Sequence, residues 1–599
     1  MKQTIKIMAL ACLLTAASVV GAMAQTVEFL SKKHCLVRFD AAQRYLLLPV
    51  EEKAEVCNLR LLSHSNVVNT LNVRLAVDNV DYYVPLDLAP CGEAPALLDV
   101  HINASSRQTG NASDYVCWKN MRLSNDFDTA NREAWRPDYH HTPAWGWMND
   151  PNGLFYKDGV YHLFYQWNPY GSTWENMHWG HSTSSDLVHW KNEGLGIAPD
   201  ALGTVFSGCC VVDKDNTAGF GAGAVVAMYT SAGESQTQSL AYSTDGGKTF
   251  TKYAGNPVIT SDVPDFRDPH IFWNNAIGAW NLILAAGQEM RIYTSKDLKA
   301  WNYESSFGQG YGCHEGVWEC PDLVKLPVEG TNEEKWVLIC NINPGGPAGG
   351  SATQYFVGAF DGHTFKSETP ARDTLWMDYG KDHYAAVTFD NAPDGRHILI
   401  GWMSNWQYAN QVPTKQYRSA NTIARDIYLF KEGGRTLCGS RPVPEMAKAR
   451  GKMTVKTSFK AGKKVMARLT PSATGTYEID MKLVPKKGEQ LTFILANGKN
   501  EEVVIAYNQQ RNSITVNRNR SGQTAFSEFF PVETVAPVHG GTLTELRLFV
   551  DKGSVELFAN DGRTVMSNIM FPSEPYNRLT VSGVKGSKIS SLCVYEINK

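Results

Sequence analysis

The sequence predicts an all-β protein: a five-bladed β-propeller followed by a C-terminal β-sandwich, with an extra β module at the N-terminus. Short runs of alternating apolar and polar residues recur along the chain and are separated by turn residues. Between residues 131 and 440, an outline of strand, turn and aromatic residue returns roughly every 50 to 65 residues, about the length of a four-stranded propeller blade with its loops. Aromatic residues make up 11% of the chain, which suits β-structure.

Residues 1–24 predict a secretory signal peptide. Lys2 and Lys6 precede an apolar run that begins at Ile7, and Ala22-Met23-Ala24 forms a small-residue cleavage site. That run is too short to span a bilayer stably, and no later stretch has the apolar length needed. We therefore expect no membrane span and a chain exported to the periplasm or outside the cell.

Charge and cysteine content narrow the classes of function. A formal net charge of −3 predicts no basic surface for nucleic acid or an anionic membrane. One of the 12 cysteines lies in the signal peptide, and four fall in the N-terminal module, where they could form two disulfides of unknown connectivity. These four are Cys35, Cys57, Cys91 and Cys117. No CxxC pair or His/Cys cluster has zinc spacing, so we infer no metal site and no cofactor.

The N-terminal module is expected over residues 25–130. Its short apolar runs, such as Val37-Arg38-Phe39 and Tyr45-Leu46-Leu47-Leu48-Pro49-Val50, predict a small antiparallel β fold. No motif in it indicates chemistry. We interpret it as an accessory module for packing or for presenting a substrate.

The propeller is expected over residues 131–440, where one turn motif returns. It is seen in Ser185-Asp186-Leu187-Val188-His189-Trp190, again from Tyr242 to Phe250 and from Ser295 to Trp301, and more faintly from Asp361 to Phe365. About 300 residues divided at this spacing predict roughly five blades. Because the inner strands of a propeller converge on a central funnel, carboxylates far apart in sequence can meet there.

The C-terminal part begins after a polar linker, residues 441–452. Residues 453–599 contain regular short strands such as Tyr477-Glu478-Ile479-Asp480-Met481, and Asn560-Asp561-Gly562 predicts a tight turn. This pattern is typical of a β-sandwich. The segment contains no Trp, so we interpret it as a stabilising partner of the propeller rather than a sugar-binding platform.

Three carboxylates stand out by their neighbours. Asp150 lies in Trp147-Met148-Asn149-Asp150-Pro151-Asn152-Gly153, where proline favours an extended Asp150 and Asn-Gly predicts a turn. Asp268 lies in Phe266-Arg267-Asp268-Pro269, and Glu319 lies between Trp318 and Cys320. Each one alone could be an ordinary loop carboxylate, and Asp150 could merely start a turn. Together, in different predicted blades, they indicate one site.

Two such carboxylates suffice to hydrolyse a glycosidic bond. One donates a proton to the leaving oxygen, and in retaining enzymes the other, about 5 Å away, is the nucleophile. The apolar neighbours of Glu319 favour a protonated donor, whereas the amide of Asn149 suits an ionised Asp150. Asp268 beside Arg267 is expected to stay charged and to accept hydrogen bonds from sugar hydroxyls.

These three blocks resemble the signature motifs of glycoside hydrolase family 32, the levanases, inulinases and other β-fructosidases. The resemblance covers roughly residues 136–599, includes further stretches such as Gly401-Trp402-Met403-Ser404-Asn405-Trp406, and excludes the N-terminal module. It implies a five-bladed propeller, a C-terminal sandwich and hydrolysis with retention. It also implies that Asp150 is the nucleophile, Glu319 the acid/base and Asp268 the transition-state stabiliser.

The resemblance further implies a wall of side chains that holds a terminal fructose. His383, next to the wall residue Asp382, stands where many relatives have phenylalanine. The wall residues are Asn149, Gln166, Trp174, Ser207, Arg267, Asp382 and Trp402.

The choice of substrate stays open between levan and inulin, with sucrose as a further candidate. The Gly-rich stretch from Asn343 to Tyr355 resembles a loop of microbial levanases and exo-inulinases, which favours release of terminal fructose. An endo-acting fructanase, a catalytically silent fructan-binding protein and a propeller hydrolase acting on arabinan or xylan are the alternatives. The expected partner is a fructan or fructo-oligosaccharide.

Overall fold

The structure is a computed structural model that describes residues 25–40, 42–92, 95–103, 111–130, 132–460, 465–472, 474–486, 490–583 and 587–598. The predicted signal peptide lies outside the described residues. Strands dominate the described chain, and this confirms the all-β prediction. The boundary between two compact units falls after Thr129. Within the described residues, no helix has the length and apolar character needed to cross a membrane.

The first unit consists of two antiparallel sheets. Its described strands are β1 (Gln25–Ser31), β2 (His34–Asp40), β3 (Tyr45–Val50), β4 (Cys57–Ser63), β5 (Asn66–Val73), β6 (Tyr82–Asp87), β7 (Pro95–Ile102) and β8 (Arg122–Ser124). One sheet has the order β1-β2-β7-β4-β5 and the other the order β6-β3-β8. Short helical turns lie at Ala89–Cys91, Ala112–Asp114 and Cys117–Asn120. In the structure Cys35, Cys57, Cys91 and Cys117 are buried free thiols, so neither of the two candidate disulfides is formed.

The first three propeller blades each contain four antiparallel strands in chain order. Blade 1 is β9 (Gly146–Lys157), β10 (Val160–Asn168), β11 (His178–Ser184) and β12 (Lys191–Ile197). Blade 2 is β13 (Thr204–Asp213), β14 (Ala224–Ala232), β15 (Gln236–Ser243) and β16 (Thr251–Lys252). Blade 3 is β17 (Phe266–Asn274), β18 (Ala279–Ala286), β19 (Met290–Ser295) and β20 (Asn302–Phe307).

Blades 4 and 5 complete the propeller. Blade 4 is β21 (Val317–Pro327), β22 (Glu334–Asn343), β23 (Ala352–Phe360) and β24 (Phe365–Ser367), and β25 (Leu375–Trp376) also pairs with β23. The remaining strands are β26 (Tyr384–Thr388), β27 (Ile398–Trp402), β28 (Tyr417–Arg418), β29 (Arg425–Glu432) and β30 (Arg435–Pro442), with short turns at Pro393–Gly395 and Ala409–Gln411. Blade 5 has the order β26-β27-β29-β30, while β28 pairs in parallel with β9. The first strands of neighbouring blades contact one another, and β26 contacts β9, so the ring closes.

The repeated turn motif lies between the third and fourth strands of blades 1 to 4. In each copy an aspartate side chain accepts hydrogen bonds from backbone N–H groups two to four residues further on. The four residues are Asp186, Asp245, Asp297 and Asp361. Aspartate favours such turns because its carboxylate satisfies N–H groups that the strands leave free. Blade 5 turns instead at Gly433-Gly434, which explains why the sequence shows four copies.

The C-terminal sandwich packs two six-stranded sheets on each other. Its strands are β31 (Arg450–Lys460), β32 (Val465–Leu469), β33 (Tyr477–Val484), β34 (Gln490–Ala496), β35 (Glu502–Asn508), β36 (Ser513–Arg520), β37 (Glu533–Pro537), β38 (Glu545–Asp551), β39 (Ser554–Ala559), β40 (Thr564–Ile569), β41 (Arg578–Gly583) and β42 (Lys588–Ile597). The sheet orders are β31-β42-β33-β38-β39-β40 and β32-β41-β34-β35-β36-β37. Between the sheets, apolar side chains such as Ile479 and Phe493 are fully buried. The segment expected as a linker, 441–452, contains the end of β30, the helix Pro444–Lys448 and the start of β31.

Candidate active site

Irregular backbone marks the site on the inner strands of the propeller. The pairing register shifts between Val205 and Gly208 on β13, Arg267 and His270 on β17, Glu319 and Asp322 on β21, and Tyr384 and Val387 on β26. Strand β9 carries two further shifts against β10. Such β-bulges redirect side chains and are common beside active sites. They turn the predicted residues towards one cavity.

Three of these bulges hold non-glycine residues at positive φ, among them Ala385 on β26 at 52°. Asp268 has φ 65° and Cys320 has φ 42°, a left-handed conformation that costs L-residues energy and is concentrated at functional sites.

The motif around Asp150 differs from expectation, because it does not form a turn. It lies inside the continuous strand β9, and Gly153 takes φ 52° where a Cβ would meet the indole of Trp179 at 2.8 Å. Close packing at the bulge, rather than a chain reversal, therefore requires this glycine.

Asp150 is held by three donors. Ser207 Oγ donates to its Oδ2 at 2.6 Å, and Asn149 Nδ2 donates to its Oδ1 at 2.9 Å. Cys320 Sγ lies 3.4 Å from the same Oδ2. Trp147 Nε1 in turn donates to Asn149 Oδ1 at 2.7 Å, which fixes the orientation of the amide. Asp150 thus presents a fixed carboxylate.

Asp268 lies beside Asp150, with Cys320 between them. The Cys320 backbone N–H donates to Asp268 Oδ2 at 3.0 Å, and its Sγ lies 3.5 Å from that oxygen. The Asp268 backbone N–H is held by Thr230 Oγ1 at 3.0 Å. Because one residue contacts both aspartates, the two carboxylates are coupled in position.

Glu319 is bound by an arginine and a tyrosine. Arg267 donates to Glu319 Oε1 from Nε at 3.0 Å and from Nη2 at 2.8 Å. The Tyr384 hydroxyl donates to Glu319 Oε2. Arg267 also donates to Asp265 at 2.6 Å and to Gln236 at 3.2 Å. Both oxygens of Glu319 are therefore oriented before any substrate binds.

Burial shifts the pKa values of Asp150 and Asp268. It raises the pKa of Asp150, an effect that hydrogen bonds from Ser207 and Asn149 oppose and the charge of Glu319 reinforces. Burial also raises the pKa of Asp268 from 3.8 to about 7; Arg267 opposes this shift, while Glu319 and Asp150 add to it. Arg267, whose guanidinium hydrogen-bonds Glu319, Asp265 and Gln236, thus favours the charged form of Asp268 but does not offset burial. Among the described lining residues, one cation faces three carboxylates.

The carboxylates line a cavity of about 370 Å³. Eight of the ten residues predicted for the site line it: Asn149, Asp150, Gln166, Trp174, Ser207, Arg267, Asp268 and Glu319. Gln166 is buried and donates to Asn152 Oδ1 at 2.8 Å, whereas the side chain of Trp174 is 43% exposed at the rim.

Two predicted wall residues do not line this cavity. Asp382 is fully buried at the contact with the sandwich, where Arg518 Nη1 donates to Oδ2 at 2.5 Å and the Tyr408 hydroxyl donates to Oδ1. Trp402 is fully buried behind the cavity, with its ring centroid 4.9 Å from that of Trp406. Asp382 therefore joins two domains, and Trp402 supports a residue that does line the cavity.

Five lining residues were not predicted: Phe206, Gln236, Asn343, Tyr384 and Trp406. Four of them lie in or beside stretches that the sequence singles out, since Phe206 precedes Ser207, Asn343 begins the Gly-rich stretch, Tyr384 follows His383, and Trp406 ends the stretch after Gly401. No sequence motif near Gln236 indicates that it belongs to the site.

The Gly-rich loop beside this cavity is anchored. Lys381 Nζ donates to the carbonyls of Ala348 at 2.6 Å and Gly349 at 2.9 Å. Ser351 Oγ donates to Asn343 Oδ1 at 3.1 Å and accepts the N–H of Trp406 at 3.0 Å. The loop thus positions Asn343 and Trp406 at the cavity.

Models of known protein families match most of the chain. The model for the glycosyl hydrolases family 32 N-terminal domain matches residues 140–440, and the model for the glycosyl hydrolases family 32 C terminal matches residues 445–596. A domain of unknown function (DUF4980) matches residues 31–139.

Individual proteins agree with these matches. The levanase of Bacillus subtilis (strain 168) is 46% identical over 487 residues, which cover 78% of this chain and 71% of the levanase. The extracellular exo-inulinase of Aspergillus awamori is 38% identical and covers 74% of this chain and 90% of the inulinase.

Solved structures agree as well. The crystal structure of exo-inulinase from Aspergillus awamori covers 79% of this chain and all of its own, with a TM-score of 0.74 and 35% identity. The β-fructofuranosidase of Schwanniomyces occidentalis complexed with fructosyl-erythritol covers 79% of this chain and 99% of its own, with a TM-score of 0.70 and 32% identity. The resemblance inferred from the motifs is confirmed, and the chain belongs to glycoside hydrolase family 32.

Proposed function

We propose that this chain is an exported, retaining β-fructofuranosidase that releases terminal fructose from levan or inulin. The observation that carries the proposal is the meeting of Asp150, Asp268 and Glu319 in one cavity, where Arg267 is the one cationic side chain among the described lining residues. The matched levanase and exo-inulinases support a fructan substrate, and the extracellular inulinases support export.

Asp150 is the proposed nucleophile. Its carboxylate attacks the anomeric carbon of a bound fructosyl unit and forms a covalent glycosyl-enzyme intermediate as the glycosidic bond breaks. Ser207 and Asn149 hold the carboxylate in position by hydrogen bonds of 2.6 and 2.9 Å. The carboxylate is thereby oriented before the substrate binds.

Glu319 is the proposed acid and base. In its protonated form it gives the proton to the leaving oxygen, and it then takes a proton from the water that hydrolyses the intermediate. Arg267 and Tyr384 orient its two oxygens, as this double role requires. Asp268 is proposed to hydrogen-bond the ring hydroxyls of the fructosyl unit as positive charge develops on it.

Product analysis on levan, inulin and sucrose tests the proposal. We expect fructose as the first and principal product from the preferred fructan, whereas a ladder of oligosaccharides would show endo action. No release of reducing sugar from any of the three would support a silent binding protein, and activity on arabinan without release of fructose would contradict a fructan substrate.

Stereochemistry tests the roles separately. In buffer containing methanol, a retaining enzyme transfers the fructosyl group to give methyl β-fructofuranoside, which NMR distinguishes from the α-anomer. Formation of the α-anomer would contradict Asp150 as nucleophile, whatever the substrate.

A further inference from the structure

Three potential metal ligands converge on one face of a sheet in the first unit. Strand β2 pairs with β7 so that His34 lies directly opposite His101, and Asp99 lies two residues before His101 on the same face. His34 Nε2 is 2.7 Å from Asp99 Oδ1, and His101 Nε2 is 3.3 Å from that same oxygen. The three ligand atoms all lie within 4.8 Å of one another.

The site is open to solvent but held by the sheet. The side chains of His34 and His101 are 31% and 41% exposed, while that of Asp99 is 13% exposed. The two imidazole rings stack with centroids 4.2 Å apart, so their Nε2 atoms present one shared edge. Because strand pairing fixes all three backbones, small rotations of the side chains suffice to bring the donors to metal-binding distance.

We propose that His34, Asp99 and His101 form a binding site for a divalent transition-metal ion, with water completing the coordination. Two imidazoles and one carboxylate are a donor set that suits Zn²⁺ and its neighbours in the first transition row, whereas Mg²⁺ and Ca²⁺ prefer oxygen ligands alone. A bound ion would join β2 to β7 in the middle of the sheet.

A bound ion would compete with Arg60 for contacts with Asp99 and His101. Its Nη2 lies 2.9 Å from Asp99 Oδ2 and 3.3 Å from His101 Nε2. The guanidinium does not occupy Oδ1, the oxygen that both imidazoles face. Since the Arg60 side chain is half exposed, it can turn into solvent when an ion binds.

The spacing of His and Cys in the sequence predicts no metal site, whereas the proposed ligands are brought together only by strand pairing. His34 and Asp99 are 65 residues apart and meet only because β2 and β7 are neighbours. The D-x-H spacing of Asp99 and His101 was visible, but alone it indicates only two residues on one face of a strand.

The test is a calorimetric titration of the chelator-treated, untagged full chain with Zn²⁺ in a non-coordinating buffer. We expect one saturable site, and at least ten-fold weaker binding in His34→Gln and in His101→Gln. His189→Gln is the matched control, because His189 also pairs with an aspartate at 2.7 Å and is 46% exposed, but has no second histidine in that pair. It should bind Zn²⁺ like the wild type.

Arg60→Gln supplies a second measurement that does not remove a ligand. Its affinity for Zn²⁺ should equal or exceed that of the wild type, because a competitor is gone. Absence of saturable binding to the wild type, equal binding by all the histidine variants, or weaker binding by Arg60→Gln would each overturn the proposal. Circular dichroism on every variant verifies that the fold is intact.

Discussion

Two groups of carboxylates in the second unit differ in the number of cations that face them. Where the propeller meets the sandwich, Asp378, Arg425, Glu556, His140 and Asp551 form one chain of alternating charge whose side chains are fully buried. In the cavity, Asp150, Asp268 and Glu319 have one lining cation, Arg267, which hydrogen-bonds Glu319. Both groups are hydrogen-bonded; the interface side chains are fully buried, and in the cavity Asp268 is buried while Asp150 and Glu319 are partly exposed.

The pKa values separate them. At the interface burial would raise the pKa of Glu556, but Arg425 and His140 outweigh it and lower the pKa to about 2. Arg425 likewise lowers the pKa of Asp378, and His140 lowers that of Asp551. In the cavity burial prevails, and the pKa values of Asp150 and Asp268 are raised. A paired buried carboxylate stabilises the structure, whereas an underpaired one is prepared for chemistry.

The largest expected effect is that of Asp150→Asn on activity. We expect kcat on the preferred fructan to fall by roughly 10⁴-fold or more, because the proposed nucleophile is lost. The melting temperature should stay the same or rise, since a raised pKa means that the folded state disfavours the charge being removed. Kinetics and thermal melting measure the two effects. A large loss of stability, or near-normal turnover, in Asp150→Asn would mean that the cavity carboxylates do not differ in role from those at the interface.

At the interface we expect the reverse pattern from Glu556→Gln. Removing this partner leaves Arg425 and His140 buried with too little negative charge, which should cost about 3 to 5 kcal/mol of unfolding free energy. Urea unfolding measures the loss, and kcat under folding conditions should be unchanged. Glu334→Gln is the control: it breaks an exposed pair with Lys325, so its effect should stay within about 1 kcal/mol.

The same contrast shows what the sequence could predict. Turn aspartates such as Asp186 and Asp245 are local signals, and they indicated the blades because a turn is determined by neighbouring residues. Asp150, Asp268 and Glu319 could be recognised for a similar reason, since each lies within a distinctive local motif.

Long-range pairing could not be predicted in this way. Asp382 lies in a motif like those of the wall residues, yet its partner Arg518 is 136 residues away on another domain. Nothing near either residue indicates that pairing, so the sequence predicted a wall residue where the structure has an inter-domain ion pair. His34 and Asp99, which are 65 residues apart, likewise could not be paired from their local sequence.

Stability should depend on pH differently for the two groups. Burial would lower the pKa of His140, but hydrogen bonds to Asp551 and Glu556 outweigh it and raise the pKa from 6.5 to about 9. A raised histidine pKa contributes stability that is complete below pH 6.5 and lost as the pH rises to about 9, here about 3 kcal/mol. Asp268, whose pKa is also raised, costs stability progressively as the pH rises from 3.8 to about 7.

Melting curves from pH 4 to 10 check both contributions. His140→Gln should flatten the loss between pH 6.5 and 9, and Asp268→Asn should flatten the dependence between pH 4 and 7. If Asp268→Asn changed only the alkaline region, the assignment of the raised pKa to the cavity would be wrong.

The smallest expected effect concerns Tyr384, which contacts the cavity group through a single hydrogen bond. Tyr384→Phe removes the hydroxyl that donates to Glu319 Oε2, while Arg267 still holds Oε1. The loss of one hydrogen bond to a charged group should lower kcat about ten-fold with little change in KM. Tyr165→Phe is the matched control, because its buried hydroxyl accepts from Asn192 at 2.9 Å and does not line the cavity. Both variants should lose similar stability, but only Tyr384→Phe should lose rate; equal rates would mean that Tyr384 supports the fold and does not position Glu319.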